Sequence, residues 1–93
     1  MKAYKTKIYN EDNNIIVKHH NTDIIKHNTI DKTITLNNDG YFSKTTKDRM
    51  QEYLEDNSNY RLYQKNFKWY LDIIDNDKTI KTINYYNNIV LAI

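Results

Sequence analysis

The residues best suited to recognition chemistry in this chain lie between Tyr60 and Tyr70. This stretch carries three cations, Arg61, Lys65 and Lys68, no carboxylate, and five aromatics, Tyr60, Tyr63, Phe67, Trp69 and Tyr70. Rings set among cations suit single-stranded nucleic acid, because bases stack on the rings while phosphates meet positive charge. The same residue types anchor protein interfaces, where Tyr and Arg are enriched, and they can also form an ordinary solvated face. A turn at Asn66-Phe67 fixes the cross-strand pairs by counting. One face then holds Tyr60–Ile73, Leu62–Leu71 and Gln64–Trp69, apolar enough to be core. The other holds Arg61–Asp72, Tyr63–Tyr70 and Lys65–Lys68. Arg61, Tyr63, Lys65, Lys68 and Tyr70 thus make the candidate binding face. Lysines facing each other at 65 and 68 are unfavourable unless an anion or solvent intervenes.

Other chemistry is thinner. His19, His20 and His27 are the conventional metal or acid–base candidates, with Asp23 close by in sequence. A metal site needs three or four converging ligands, themselves held by partners, and no second cluster supplies them. Neither a metal nor a cofactor is expected. The side chains of Asn21, Thr22 and Asp23 read more simply as turn builders that bond local backbone. Ser43 and Ser58 have no spacing that brings a His–carboxylate pair to them, and no nucleophile, base and orienting group can be assembled. The expectation is therefore not an enzyme. Lys47 and Arg49 flank an expected helix start, where free N–H groups could take an anion. Ordinary capping, with Asp48 answering the helix dipole, explains the same residues.

Composition sets the frame for these side chains. Ninety-three residues fit a single domain over 1–93, with a net charge of +2. One Gly and no Pro leave no Walker loop or dinucleotide fingerprint. The absence of Cys excludes a disulfide framework and a thiol nucleophile. No apolar run reaches the ~18 residues of a membrane span, and no basic, apolar leader opens the chain, so a cytoplasmic location is expected. Asn, Ile, Lys and Tyr account for 48 of the 93 residues, and all four use AT-rich codons. Their abundance fits a low-GC bacterial or phage genome and says little about function. The 13% of aromatic residues exceeds what a disordered chain carries, while a mean hydropathy of −0.92 points to a thin core under a polar surface.

The spacing predicts an α+β fold. Residues 3–9 alternate as a strand, and 10–14 are turn-rich. Ile15 to His20 and Asp23 to His27 are β-rich runs with a turn at Asn21-Thr22. Thr33 to Leu36 alternates strictly. Asp39-Gly40 carries a type I′ hairpin signal, with Tyr41-Phe42-Ser43 as the return strand. One helix is expected over 46–56, with Thr45 as N-cap, Asp48 completing a capping box, and Met50, Tyr53 and Leu54 as its apolar stripe. Asn57-Ser58-Asn59 stops it. Tyr60 to Gln64, Lys68 to Asp75 and Thr79 to Asn84 are the following strands. These make an antiparallel sheet of short strands with one helix laid on it, either open or curled into a barrel. Leu36, Met50, Leu54, Leu62, Trp69 and Leu71 are the predicted core. The apolar terminus Ile89-Val90-Leu91-Ala92-Ile93 must pair into its own sheet, or with a second copy or a partner's edge.

Residues 20–72 resemble a family of small phage-encoded proteins. The matching pieces are His20-Asn21-Thr22-Asp23-Ile24, Thr33-Ile34-Thr35-Leu36-Asn37, Thr45-Thr46-Lys47-Asp48-Arg49-Met50, Tyr60-Arg61-Leu62-Tyr63-Gln64-Lys65 and Trp69-Tyr70-Leu71, in the family's order and approximate spacing. Two departures occur. Asp39-Gly40-Tyr41 stands where the family often has Gly-Gly-Trp, and Asn66-Phe67 where a turn Gly is frequent. The resemblance implies a phage origin and brings no catalytic residues. With the small size, it suggests a protein that binds a host protein or ribonucleoprotein complex, as an anti-CRISPR-like inhibitor of host defence does, through a protein surface or a guide RNA. The net charge argues against DNA mimicry, which needs a dense acidic face. Direct binding of single-stranded nucleic acid by the hairpin, and a structural or virion-associated role, are the alternatives.

Overall fold

The computed structural model of the protein describes residues 6–40 and 42–93. The chain divides into two compact units, one of Met1–Phe42 with Asn87–Ile93, the other of Ser43–Tyr86. Each is built on its own antiparallel sheet, so the fold is α+β with eight strands and one helix.

The first unit contains β1 (Thr6–Glu11), β2 (Asn14–His19), β3 (Thr22–Asn28), β4 (Thr33–Leu36) and, from the far end of the chain, the strand Ile89–Ala92. Tight two-residue turns join the first three strands. Asp12 and His20 take φ of 55° and 56° there, a left-handed conformation these side chains tolerate better than most. The second turn is therefore His20-Asn21, one residue earlier than the polarity of Asn21-Thr22 predicts. Pairing slips between Val17 and Lys18, where β3 carries an extra residue. Around that bulge the neighbours Ile24 and Ile25 are both buried, as are Ile16 and Val17 across from them. Ile34, Leu36, Ile89 and Leu91 complete this core.

The second unit holds α1 (Lys44–Asn57), β5 (Tyr60–Lys65), β6 (Lys68–Asp75) and β7 (Lys78–Asn84), with the strands in the order β5-β6-β7. Its core is Met50 and Leu54 of the helix with Leu62, Trp69, Leu71 and Tyr85. All six predicted core residues are buried. Gln51 of the helix accepts a hydrogen bond from the Leu62 backbone N–H at 2.6 Å, closing part of the outer edge of β5. The last strand of the chain, β8 (Ile89–Ala92), lies next to β4, giving the first sheet the order β1-β2-β3-β4-β8.

Four expectations change. The strands form two sheets, and neither closes into a barrel among the described residues. Asp39 and Gly40 do take φ of 53° and 79°, but no return strand follows. The edge that such a strand would need is held by β8, whose register runs Thr33↔Ala92 to Leu36↔Ile89. The terminal segment thus pairs inside its own chain. The helix begins at Lys44, capped by Ser43 instead of Thr45, and Asp48 bonds Lys44 instead of completing a capping box. Residues 3–5 of the predicted first strand, and Tyr41 of the predicted return strand, lie outside the described residues.

Candidate functional site

The hairpin β5–β6 follows from its turn. Asn66 and Phe67, at φ of 53° and 65°, form a two-residue connection, which locks Lys65 opposite Lys68 and fixes every pair beyond. The register is Tyr60↔Ile73, Arg61↔Asp72, Leu62↔Leu71, Tyr63↔Tyr70, Gln64↔Trp69 and Lys65↔Lys68, the one counted from the sequence. Leu62, Trp69 and Leu71 turn inward and are buried. The opposite face presents the candidate residues.

Tyr63 and Tyr70 stack on each other at the middle of this face, with ring centroids 5.6 Å apart and planes 29° from parallel. Each is half-buried, so the pair is a firm platform with its outer parts still in solvent. Lys65 and Lys68 are exposed at the tip, directly opposed. Arg61 is exposed at the far end and lines a shallow polar cleft with Gln51, Glu55, Ser58, Tyr60 and Asp77. The structure therefore brings Tyr63, Tyr70, Lys65 and Lys68 together and sets Arg61 apart, beside two carboxylates. Asp72 lies across from Arg61, but its carboxylate accepts from Thr82 Oγ1 at 2.6 Å and Thr79 Oγ1 at 3.3 Å, both on β7. Among the described residues, the ion pairs are Lys18–Asp23, Lys44–Asp48, Lys47–Asp48 and Arg49–Glu52, so the three cations of the hairpin are in none of them.

Lys47 and Arg49 are placed differently. Lys47 reaches Asp48 at 3.4 Å, and Arg49 reaches Glu52 at 3.3 Å, so both cations are met by carboxylates of their own helix. The Lys44 ammonium, hydrogen-bonded to Asp48 at 2.7 Å, holds that carboxyl below its ordinary range; partial burial opposes this and Lys47 reinforces it. Both serines of the chain are spent on the same helix. The Ser43 hydroxyl accepts from the Thr46 N–H and donates to Thr46 Oγ1, while that of Ser58 donates to the Leu54 carbonyl.

The histidines divide between core and surface. His19 is buried, with Nδ1 hydrogen-bonded to Thr6 Oγ1 at 2.9 Å, and its ring meets the edge of His20 at 4.4 Å. No group of three or more His, Cys, Asp or Glu gathers as metal ligands among the described residues. The residue whose position sequence counting did not single out is Phe67. It is 93% exposed at the hairpin tip, and its only signal in the sequence is an aromatic inside a turn.

The chain belongs to a phage protein family: the family model of the Kyanoviridae Gp96 protein matches residues 1–92. No curated protein and no solved structure matches it.

Proposed function

We propose that this phage-encoded protein is not an enzyme and acts in the host cytoplasm by binding, through the outer face of β5–β6, a host complex that carries nucleic acid. Inhibition of a host defence complex, in the manner of an anti-CRISPR protein, is the role this reading favours. The observation that carries it is the stacked Tyr63–Tyr70 platform next to Lys65 and Lys68, in a stretch without a carboxylate. Ring and cation are the two contacts that a ribonucleoprotein offers partners for. Family membership supports the phage setting, and the commitment of both serine hydroxyls to helix caps supports a role without nucleophilic chemistry.

The test is a pull-down from the infected host, with and without nuclease. The variant Arg61→Ala/Lys65→Ala/Lys68→Ala should keep its fold, since exposed charges outside ion pairs contribute little. The expected result is a defined partner whose recovery falls in the variant and whose binding by the wild type weakens with salt. Equal recovery by wild type and variant would remove this face from the function. A self-assembled oligomer formed without host factors would instead favour the structural role.

A further inference from the structure

The chain contains three turns in which two successive residues take positive φ. They are Asp39-Gly40 (53° and 79°), Asn66-Phe67 (53° and 65°) and Asn76-Asp77 (51° and 64°). The second position is glycine in one turn and aspartate in another, residues that enter this region readily. Phe67 is the exception, because a bulky side chain in the left-handed region is strained. Packing does not compensate, since the ring is 93% exposed. Directly beneath it the chain makes a second unfavourable choice, opposing Lys65 to Lys68 on adjacent strands. Two local penalties thus meet at one hairpin tip, and neither is relieved within the described residues.

One kind of ligand relieves both. It must be anionic, to sit between the two ammonium groups, and it must offer a flat apolar surface to an exposed ring. Resting on the binding role of this face, we infer that the hairpin tip engages single-stranded nucleic acid, with Phe67 stacking on an unpaired base and Lys65 and Lys68 meeting the flanking phosphates. The next rung supports this choice over a pocket in a protein. Moving up the hairpin from the lysine pair by two residues, ~7 Å, brings the Tyr63–Tyr70 stack onto the same face. Ring, cation and ring therefore follow in order, as an extended strand of bases and phosphates requires, whereas a single pocket would use Phe67 alone. Unpaired bases also present free faces, which the interior of a duplex does not.

The experiment measures binding of a short, labelled, mixed-sequence single-stranded oligonucleotide and of its blunt duplex, at several salt concentrations. The proteins are wild type, Phe67→Gly and Lys65→Ala/Lys68→Ala, and thermal melts accompany the titrations. Phe67→Gly should bind about tenfold more weakly with an unchanged salt slope. Its melting temperature should be equal or higher, because glycine relaxes the turn. The double lysine variant should show a salt slope shallower by roughly one. Wild type should prefer the single strand to the duplex. Undiminished binding by Phe67→Gly, a lowered melting temperature for it, or preference for the duplex would each overturn the inference. So would failure of the wild type to bind any oligonucleotide. In that case the binding role itself still stands if the nuclease-treated pull-down returns a partner that the triple variant loses.

Discussion

Ser43 and Ser58 show how few polar side chains this protein leaves uncommitted. Ser43 accepts the Thr46 N–H at 3.2 Å, and Ser58 returns both its backbone N–H and its hydroxyl to the Leu54 carbonyl, at 2.9 and 2.8 Å. Free groups at both helix ends are thereby satisfied. Ser43→Ala should cost about 1 kcal/mol in urea unfolding, while Thr45→Ala should be nearly neutral. Equal losses would return the cap to Thr45. The pattern Thr45-x-x-Asp48 was legible as a capping box, but Ser43-x-x-Thr46 is the one used. Starting the helix at Lys44 sets Lys44 four residues before Asp48, where their charges meet at 2.7 Å. Asp48 consequently has a folded pKa below its ordinary value of 3.8. Such a carboxylate contributes stability that is present above its unfolded pKa and lost as pH falls through the folded one. Stability should therefore decline below about pH 5, by under ~1 kcal/mol from this pair. Lys44→Ala should flatten that part of the profile, and an unchanged acid limb would show that the pair contributes nothing.

At the scale of elements, the second hairpin was fully legible and the one expected at Asp39-Gly40 was not. The difference is the range over which the determining forces act. A two-residue turn fixes its own register, so Asn66-Phe67 determines the pairs from Lys65↔Lys68 to Tyr60↔Ile73 without help from the rest of the chain. Alternation then sends Leu62, Trp69 and Leu71 inward. Leu71→Ala should cost ~2–5 kcal/mol, as expected for a fully buried leucine in a packed sheet. Asp39-Gly40 has equally suitable turn residues and φ values, yet the neighbour of β4 is chosen by β8, which comes from the other end of the sequence. Local turn chemistry cannot reveal a competitor that distant. The same holds for the candidate site. Its face and its tyrosine pair were readable by counting, whereas the diversion of Asp72 to Thr79 and Thr82 required the third strand. The edge of β5 was also hidden from sequence. Gln51→Ala should destabilise by ~1–3 kcal/mol, since it leaves the part-buried Leu62 N–H without its acceptor. A loss no larger than that of an exposed helix glutamine would show that water replaces the side chain.

For the whole molecule, the consequential feature is that β4 and β8 pair across all of the chain between them. The first unit is assembled from two separated stretches, with the entire Ser43–Tyr86 unit between them in sequence. Closing so long a loop adds an entropic cost before the contact is made, though that cost grows only slowly with length. The apolar character of the terminus provides the compensation. Ile89 and Leu91 alternate inward and are buried, and Val90 faces out. Burying the two inward side chains is worth roughly 3–6 kcal/mol before ordering is charged, a substantial share of the ~5–15 kcal/mol available to a chain of this size. The Asn88 N–H bonds the Leu36 carbonyl at 2.8 Å, and Asn87 Oδ1 accepts from the Asn38 N–H at 2.9 Å, so the polar residues before the strand guide its entry. Deleting residues 89–93 should therefore strip β4 of its outer neighbour and open the core at Ile34 and Leu36. Amide hydrogen exchange read residue by residue is the decisive measurement. Protection should fall throughout β4 and the adjoining β3, and the truncated chain should aggregate through the edge it exposes. If the truncated chain stays soluble with β4 amides as protected as before, the terminal strand is an accessory and not part of the first core.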